Sequence, residues 1–394
     1  MNTMSLPTTQ QPSRRAARIA ISAVFFFNGM GFASWVTRIP AVRHALDLSE
    51  GQLGAALFAL AAGGLISFTL AGRACARYGA RRATLFTGVL YCLLLPLPVY
   101  ASSLPLLVGA LLVLGMANGS MDVCMNAHAV EVETYAQRPI MSSLHGMWSV
   151  GGVVGASSGG LLVGQGLSQQ THLTLVAALL MVGVLVARKF LPPSTVHAAT
   201  GGHAFALPSK AMLGLGCLIF CAFLIEGALA DWSAVYFQDS LLTSPATAAI
   251  GYSAFAFTMM TMRFLGDRAA AAWSAESLLR WSNGAAAIAL TLALWAQHVG
   301  LTVAAFAITG VAIATVAPLV FGAAGRRSGA HAGHGIAAMA AMGYSGFLVG
   351  PAFIGFVAQT TSLRLALGLL AAMAALIAAL SYHLRAPAGE LPAG

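Results

Sequence analysis

Three carboxylates stand where an apolar chain has least reason to keep them. Asp122 lies in Gly115-Met116-Ala117-Asn118-Gly119-Ser120-Met121-Asp122-Val123-Cys124-Met125-Asn126, and Glu226 and Asp231 lie in Ile225-Glu226-Gly227-Ala228-Leu229-Ala230-Asp231-Trp232. An ionised side chain deep in hydrocarbon costs at least about 2.5–3.5 kcal/mol, so each acid must meet a cavity, a proton or a partner. Asn118, Asp122 and Asn126 are spaced i, i+4, i+8 and stack along one helical face. Asn amides solvate a carboxylate in either protonation state, and Gly115 and Gly119 permit close helix approach on that face. The chemistry this pattern supports is reversible protonation of Asp122 beside a polar cavity. Simple interhelical adhesion is the alternative, although an Asn would serve it at lower cost. Glu226 and Asp231 point about 140° apart on an ideal helix and so are not expected to share a partner. Glu226 is the second proton or substrate site. Asp231 and Trp232 mark an outer gate, although Trp232 also suits an interfacial aromatic belt. Asn28, Gln238, Tyr252 and Tyr344 are further polar candidates for the cavity. His145 reads as a proton relay or as a helix-end histidine held by water. Arg38 reads as an anchor for its helix or a contact for an anionic solute.

The elements that must position these residues follow from composition. Of 394 residues, 58% are hydrophobic and 8% charged, against about a quarter charged in soluble domains. A water-facing exterior cannot be built from so few charges. At roughly 20 residues per span, apolar runs fall near 17–37, 51–72, 82–101, 105–130, 143–166 and 171–190. They resume near 211–237, 246–265, 276–297, 300–323, 335–358 and 362–384. Lipid leaves backbone groups no partners outside a helix or closed barrel, and these runs do not alternate as barrel strands do. The fold class is therefore an all-α polytopic membrane protein of about twelve transmembrane helices. The Pro-, Gly-, Ser- and Thr-rich stretch 191–209 reads as a linker between two six-helix halves, 17–190 and 210–385, with tails at 1–16 and 386–394.

Charge gives the orientation. All but Arg38, Arg43 and Arg364 of the 20 Lys and Arg residues fall on one side of this arrangement, which places both termini in the cytoplasm of an inner (plasma) membrane. The net charge of +9 is thereby a topology signal and not a nucleic-acid face. Arg14-Arg15 flanks a retained first span and is no cleaved export signal. The five cysteines lie in or beside apolar runs without metal-ligand spacing and read as reduced packing residues.

Two turns six spans apart form a faint repeat: Gly72-Arg73-Ala74-Cys75-Ala76-Arg77-Tyr78-Gly79-Ala80-Arg81-Arg82 and Arg263-Phe264-Leu265-Gly266-Asp267-Arg268. The first resembles the short cytoplasmic signature of the major facilitator superfamily, with Ala76 in place of the usual acid, and the second keeps its acid as Asp267. That resemblance implies an ion-pair latch, closed in the outward-facing state, carried here by Arg263, Asp267 and Arg268, with Arg77 in the weaker first copy. The segment Asp122 to Gly151, with Asn126, Glu131, Arg138, Met141, His145 and Ser149, resembles the fucose permease-like branch. It implies that Asp122 takes up a coupling proton and that Asn126 touches the substrate or relays the proton. The resulting expectation is a monomeric secondary transporter of a sugar-like or other small polar solute, coupled to protons. A drug or metabolite exporter of the same fold is the alternative. No Gly-x-x-x-x-Gly-Lys-Ser/Thr loop occurs, so neither a nucleotide cofactor nor an ATP-driven pump is implied. The histidines fall mostly near span ends, which disfavours a membrane-embedded enzyme.

Overall fold

The computed structural model describes residues 12–137, 140–194, 212–328 and 332–384, which contain no strand. Six long helices form the first half: α1 (Arg14–Val36), α2 (Glu50–Tyr78), α3 (Ala80–Leu94), α4 (Leu104–Ala136), α5 (Met141–Gly164) and α6 (Gln169–Ala187). Six more form the second: α7 (Leu213–Val235), α8 (Pro245–Ala272), α9 (Ala275–Ala296), α10 in two pieces (Val299–Ile313 and Val316–Ser328), α11 (Ala332–Thr360) and α12 (Leu363–Leu380). Among the described residues, ten helical stretches are long and apolar enough to cross a membrane. The more polar α8 and α9 complete the twelve. Most of the 191–209 linker and both tails lie outside the described residues.

Helix starts are written locally. Ser49 closes a capping box with Gln52 at the head of α2, and Ser168, Ser244, Ser274 and Ser362 cap α6, α8, α9 and α12. Each hydroxyl satisfies a backbone N–H that no preceding turn can serve. Outward faces carry large apolar side chains, among them Phe86, Leu161, Trp295 and Phe356, as a lipid contact requires.

Inward faces use glycine to bring backbones together. A Cβ on Gly115 of α4 would lie 1.9 Å from the Leu60 carbonyl oxygen of α2, and one on Gly151 of α5 would lie 2.0 Å from that of Phe26 in α1. In the second half, Gly310 of α10 meets Phe255 of α8, and Gly346 of α11 meets Phe220 of α7, each 2.4 Å from a carbonyl oxygen by the same construction. The pairs α2–α4 and α1–α5 thus recur six helices later as α8–α10 and α7–α11. This repeat in packing is what two parallel-related halves predict.

The halves meet along α2–α11 and α5–α8. On the face opposite the termini they are closed. Arg43, in the short helix Ile39–Ala45, reaches Asp239 of the second half and also Glu50 at 2.7 Å, while His44 lies 3.0 Å from Asp239. Nearby, the Gly51 amide donates to Gln359 at 3.1 Å. Gly54 and Gly355 bring α2 and α11 into backbone contact.

Candidate functional site: a cavity between the halves

A cavity of about 310 Å³ lies between the halves, lined from α1, α2, α4, α5, α7, α8 and α11. Asp231 and Tyr252 form its buried end toward the far face. His145, four residues into α5, is exposed and lines the end nearer the termini. The space therefore opens toward the terminus face.

Asn28 is a hub in the first-half wall. Its Nδ2 donates to Asn118 Oδ1 at 3.0 Å, and its Oδ1 accepts from Trp148 Nε1 at 2.8 Å. Tyr91 donates to its backbone carbonyl at 3.3 Å. The hub thereby ties α1, α3, α4 and α5, because a buried amide must have its bonds met. One helical turn along α4, Asp122 Oδ1 accepts from Asn126 Nδ2 at 3.2 Å, and Oδ2 accepts from the Tyr344 hydroxyl of α11 at 3.4 Å. Two neutral donors, one from each half, thus hold this carboxyl.

Glu226 is held differently. Arg263 of α8 lies 3.3 Å from its Oε1, and the same guanidinium donates to Ser149 of α5 at 3.2 Å. A guanidinium balances the Glu226 charge where Asp122 has only neutral donors. The sequence reading of Glu226 did not include this partner. The structure also moves Arg263, which the sequence places in a cytoplasmic turn. α8 continues to Ala272, so Arg263 lies nine residues inside the helix, about 14 Å from its end. The resemblance between the two Gly-and-Arg segments is not one between turns. The first ends α2 at Gly79, whose φ is 84°, whereas the second lies wholly within α8. Arg268 is exposed on α8, and the Asp267 side chain lies outside the described residues. Arg77 lies over the Tyr78 ring at 5.3 Å and joins no ion pair among the described residues.

Of the polar residues singled out in the sequence, Asn28, Asn118, Asp122, Glu226, Asp231, Tyr252 and Tyr344 line the cavity. Asn126 sits behind Asp122 and does not line it. Trp232 is fully buried against Gly355, so it is neither a cavity residue nor an interfacial aromatic. It turns into the α7–α11 seam because its neighbour Asp231 takes the cavity side. Arg38 is also away from the cavity: its Nε donates to His172 Nδ1 at 2.8 Å and its Nη1 to the Leu167 carbonyl at 3.3 Å. Both partners lie in the first half, which fits the anchoring reading and not the anionic-solute one. Gln238 is likewise outside the lining. Sequence reasoning missed Trp148 and the lining rings Phe32, Phe68, Phe223 and Phe347. Trp148 carried one usable signal, an indole N–H inside an apolar helix that must find an acceptor.

The Major Facilitator Superfamily profile matches residues 21–240. The chain belongs to this superfamily. It is 34% identical over 371 residues to an uncharacterized MFS-type transporter of Yersinia pestis, covering 94% of both chains. It is 31% identical over 374 residues to the membrane protein MosC of Rhizobium meliloti, covering 94% of this chain and 90% of that one. A solved structure of the nucleoside transporter NupG superimposes with a TM-score of 0.72 at 15% identity, over 93% of this chain and 98% of NupG. A variant of NupG gives 0.77 at 14%, over 93% and 99%. At those identities the likeness is one of fold. The chain is thus a multi-pass membrane transporter of the major facilitator type, and its cavity occupies the space between the two halves of that fold.

Proposed function

We propose that this transporter is a proton-coupled secondary carrier of a small polar metabolite, working by alternating access around the midplane cavity. The observation that carries the reading is the contact of Asp122 with Tyr344. A carboxyl in one half takes a hydrogen bond from the other half, inside the cavity and with no cation beside it among the described residues. Changing the protonation of Asp122 therefore changes a contact that the two halves share, which is what coupling a proton to a rocking motion requires. Glu226 and Arg263 form a charge pair that a solute or a change of state can open. In this reading the terminus face is cytoplasmic and the membrane is the inner one. The cavity is then open to the cytoplasm, with Arg43, Glu50 and Asp239 closing the outer side. The fucose permease-like resemblance favours a sugar-like solute.

The test is a panel of labelled sugars, polyols, nucleosides and amines offered to reconstituted vesicles with and without an imposed pH gradient. The reading expects at least one solute to accumulate with the gradient and to equilibrate without it. Accumulation indifferent to the gradient would reject proton coupling. Orientation is tested separately by impermeant thiol labelling in cells, where Arg364→Cys should react from outside and Arg326→Cys only after permeabilisation.

A further inference from the structure

Proton coupling through Asp122 and charge pairing through Arg263 leave one carboxylate unexplained. Asp231 is 6% exposed, lines the buried end of the cavity, and joins no hydrogen bond or ion pair among the described residues. A carboxylate buried without a cation or a donor is expensive, so Asp231 must take either a proton or a partner, and the cavity gives it room for a partner. The charges lining the cavity say what that is. Three carboxylates, Asp122, Glu226 and Asp231, face one guanidinium, and Glu226 already holds that guanidinium. His145, the other basic side chain in the lining, belongs to the terminus-face end and packs edge-on to Phe25. With Asp122 protonated and Glu226 paired to Arg263, Asp231 is the carboxyl of the lining that no group among the described residues compensates. Aromatic side chains from both halves line the same cavity, among them Trp148 and Tyr252, and their ring faces attract cations. Across the cavity, Nδ2 of Asn118 donates to nothing among the described residues while its Oδ1 is occupied by Asn28. It is therefore free for a hydroxyl.

We infer that the solute is a small organic cation, a protonated hydroxylated amine of about monosaccharide size, with its ammonium group seated on Asp231. The inference rests on the reading of the cavity as the transport site with Asp122 as the proton carrier. A cavity of about 310 Å³ is at the small end of the range for organic ligands and suits a single ring.

The experiment measures binding to the purified full-length protein in detergent, with no gradient, by equilibrium dialysis and thermal shift. Glucosamine, glucose and glucuronate present one ring as cation, neutral molecule and anion. Cyclohexylamine and cyclohexanol repeat the comparison without the extra hydroxyls. The expected result is at least about tenfold tighter binding of glucosamine than of glucose, the scale of one charge-assisted hydrogen bond. Asp231→Asn should remove that preference and Asp231→Glu should keep it. The proposal is overturned if neither amine is preferred over its neutral counterpart. It is also overturned if the preference survives in Asp231→Asn, which would show that Asp231 does not seat the ammonium group. Because the wild-type comparison needs no variant to fold and no gradient, it can fail while proton coupling stands, and proton coupling can fail while it stands.

Discussion

Asp122 and Glu226 face one cavity from opposite halves, yet each is compensated in its own way. Asp122 has a tyrosine hydroxyl and an amide beside it, whereas Glu226 has a guanidinium. The guanidinium gives Glu226 a charged partner, while the neutral donors give Asp122 hydrogen bonds alone. The difference teaches that two acids of one cavity are told apart by their partners, and the proposed proton role of Asp122 rests on that. What surrounds the acid decides whether a proton or a fixed charge balances it.

The largest effect that would sharpen this contrast is at the ion pair. Arg263→Gln should leave Glu226 as an unpaired charge and lower the melting temperature in detergent, whereas Arg263→Gln with Glu226→Gln should recover much of the loss. The coupling between the two changes should be about 1–3 kcal/mol. Strictly additive losses would show that the two groups do not interact. A smaller change is expected at the neutral donor. Tyr344→Phe removes one hydrogen bond of about 1 kcal/mol, and initial rates of gradient-driven transport should fall about fivefold without loss of the folded protein. The matching control is Trp232→Phe, which lies outside the cavity and should leave solute affinity unchanged while lowering stability. Smallest of all is the far-face closure. Asp239→Asn loosens an ion pair worth about 0.5–1 kcal/mol, so a cysteine at Ala230 should react a few-fold faster with an impermeant reagent added from that face. No change there would mean that the glycine contacts of α2 and α11 close the face unaided.

How much of this was legible in the sequence depends on how far apart the cooperating residues lie. The stacking of Asn118, Asp122 and Asn126 follows from helical spacing, and the structure keeps Asn118 and Asp122 in the cavity wall while Asn126 turns to donate to Asp122. The contact of Asp122 with Tyr344 joins residues 222 positions apart and depends on how the halves dock, which no local pattern encodes. Arg263 was misplaced because a charged cluster ending an apolar run looks like a turn. Four alanines, 269–272, carry the helix onward, and Ala is the strongest helix former. Trp232 could not be placed because tryptophan suits both a membrane interface and a packed seam. The twelve-helix fold was accessible because lipid forces apolar runs into helices. The aromatic lining of the cavity was not, since one phenylalanine in an apolar helix looks like any other.

The central claim, that Asp122 carries the proton exchanged for or with the solute, is tested most directly by transport-coupled pH change. Weakly buffered vesicles would contain the wild type or Asp122→Asn, with a solute identified by the uptake panel. The account predicts that solute addition shifts the pH in wild-type vesicles, and that Asp122→Asn keeps counterflow of labelled solute but gives no pH shift. A pH shift of wild-type size in Asp122→Asn would contradict it.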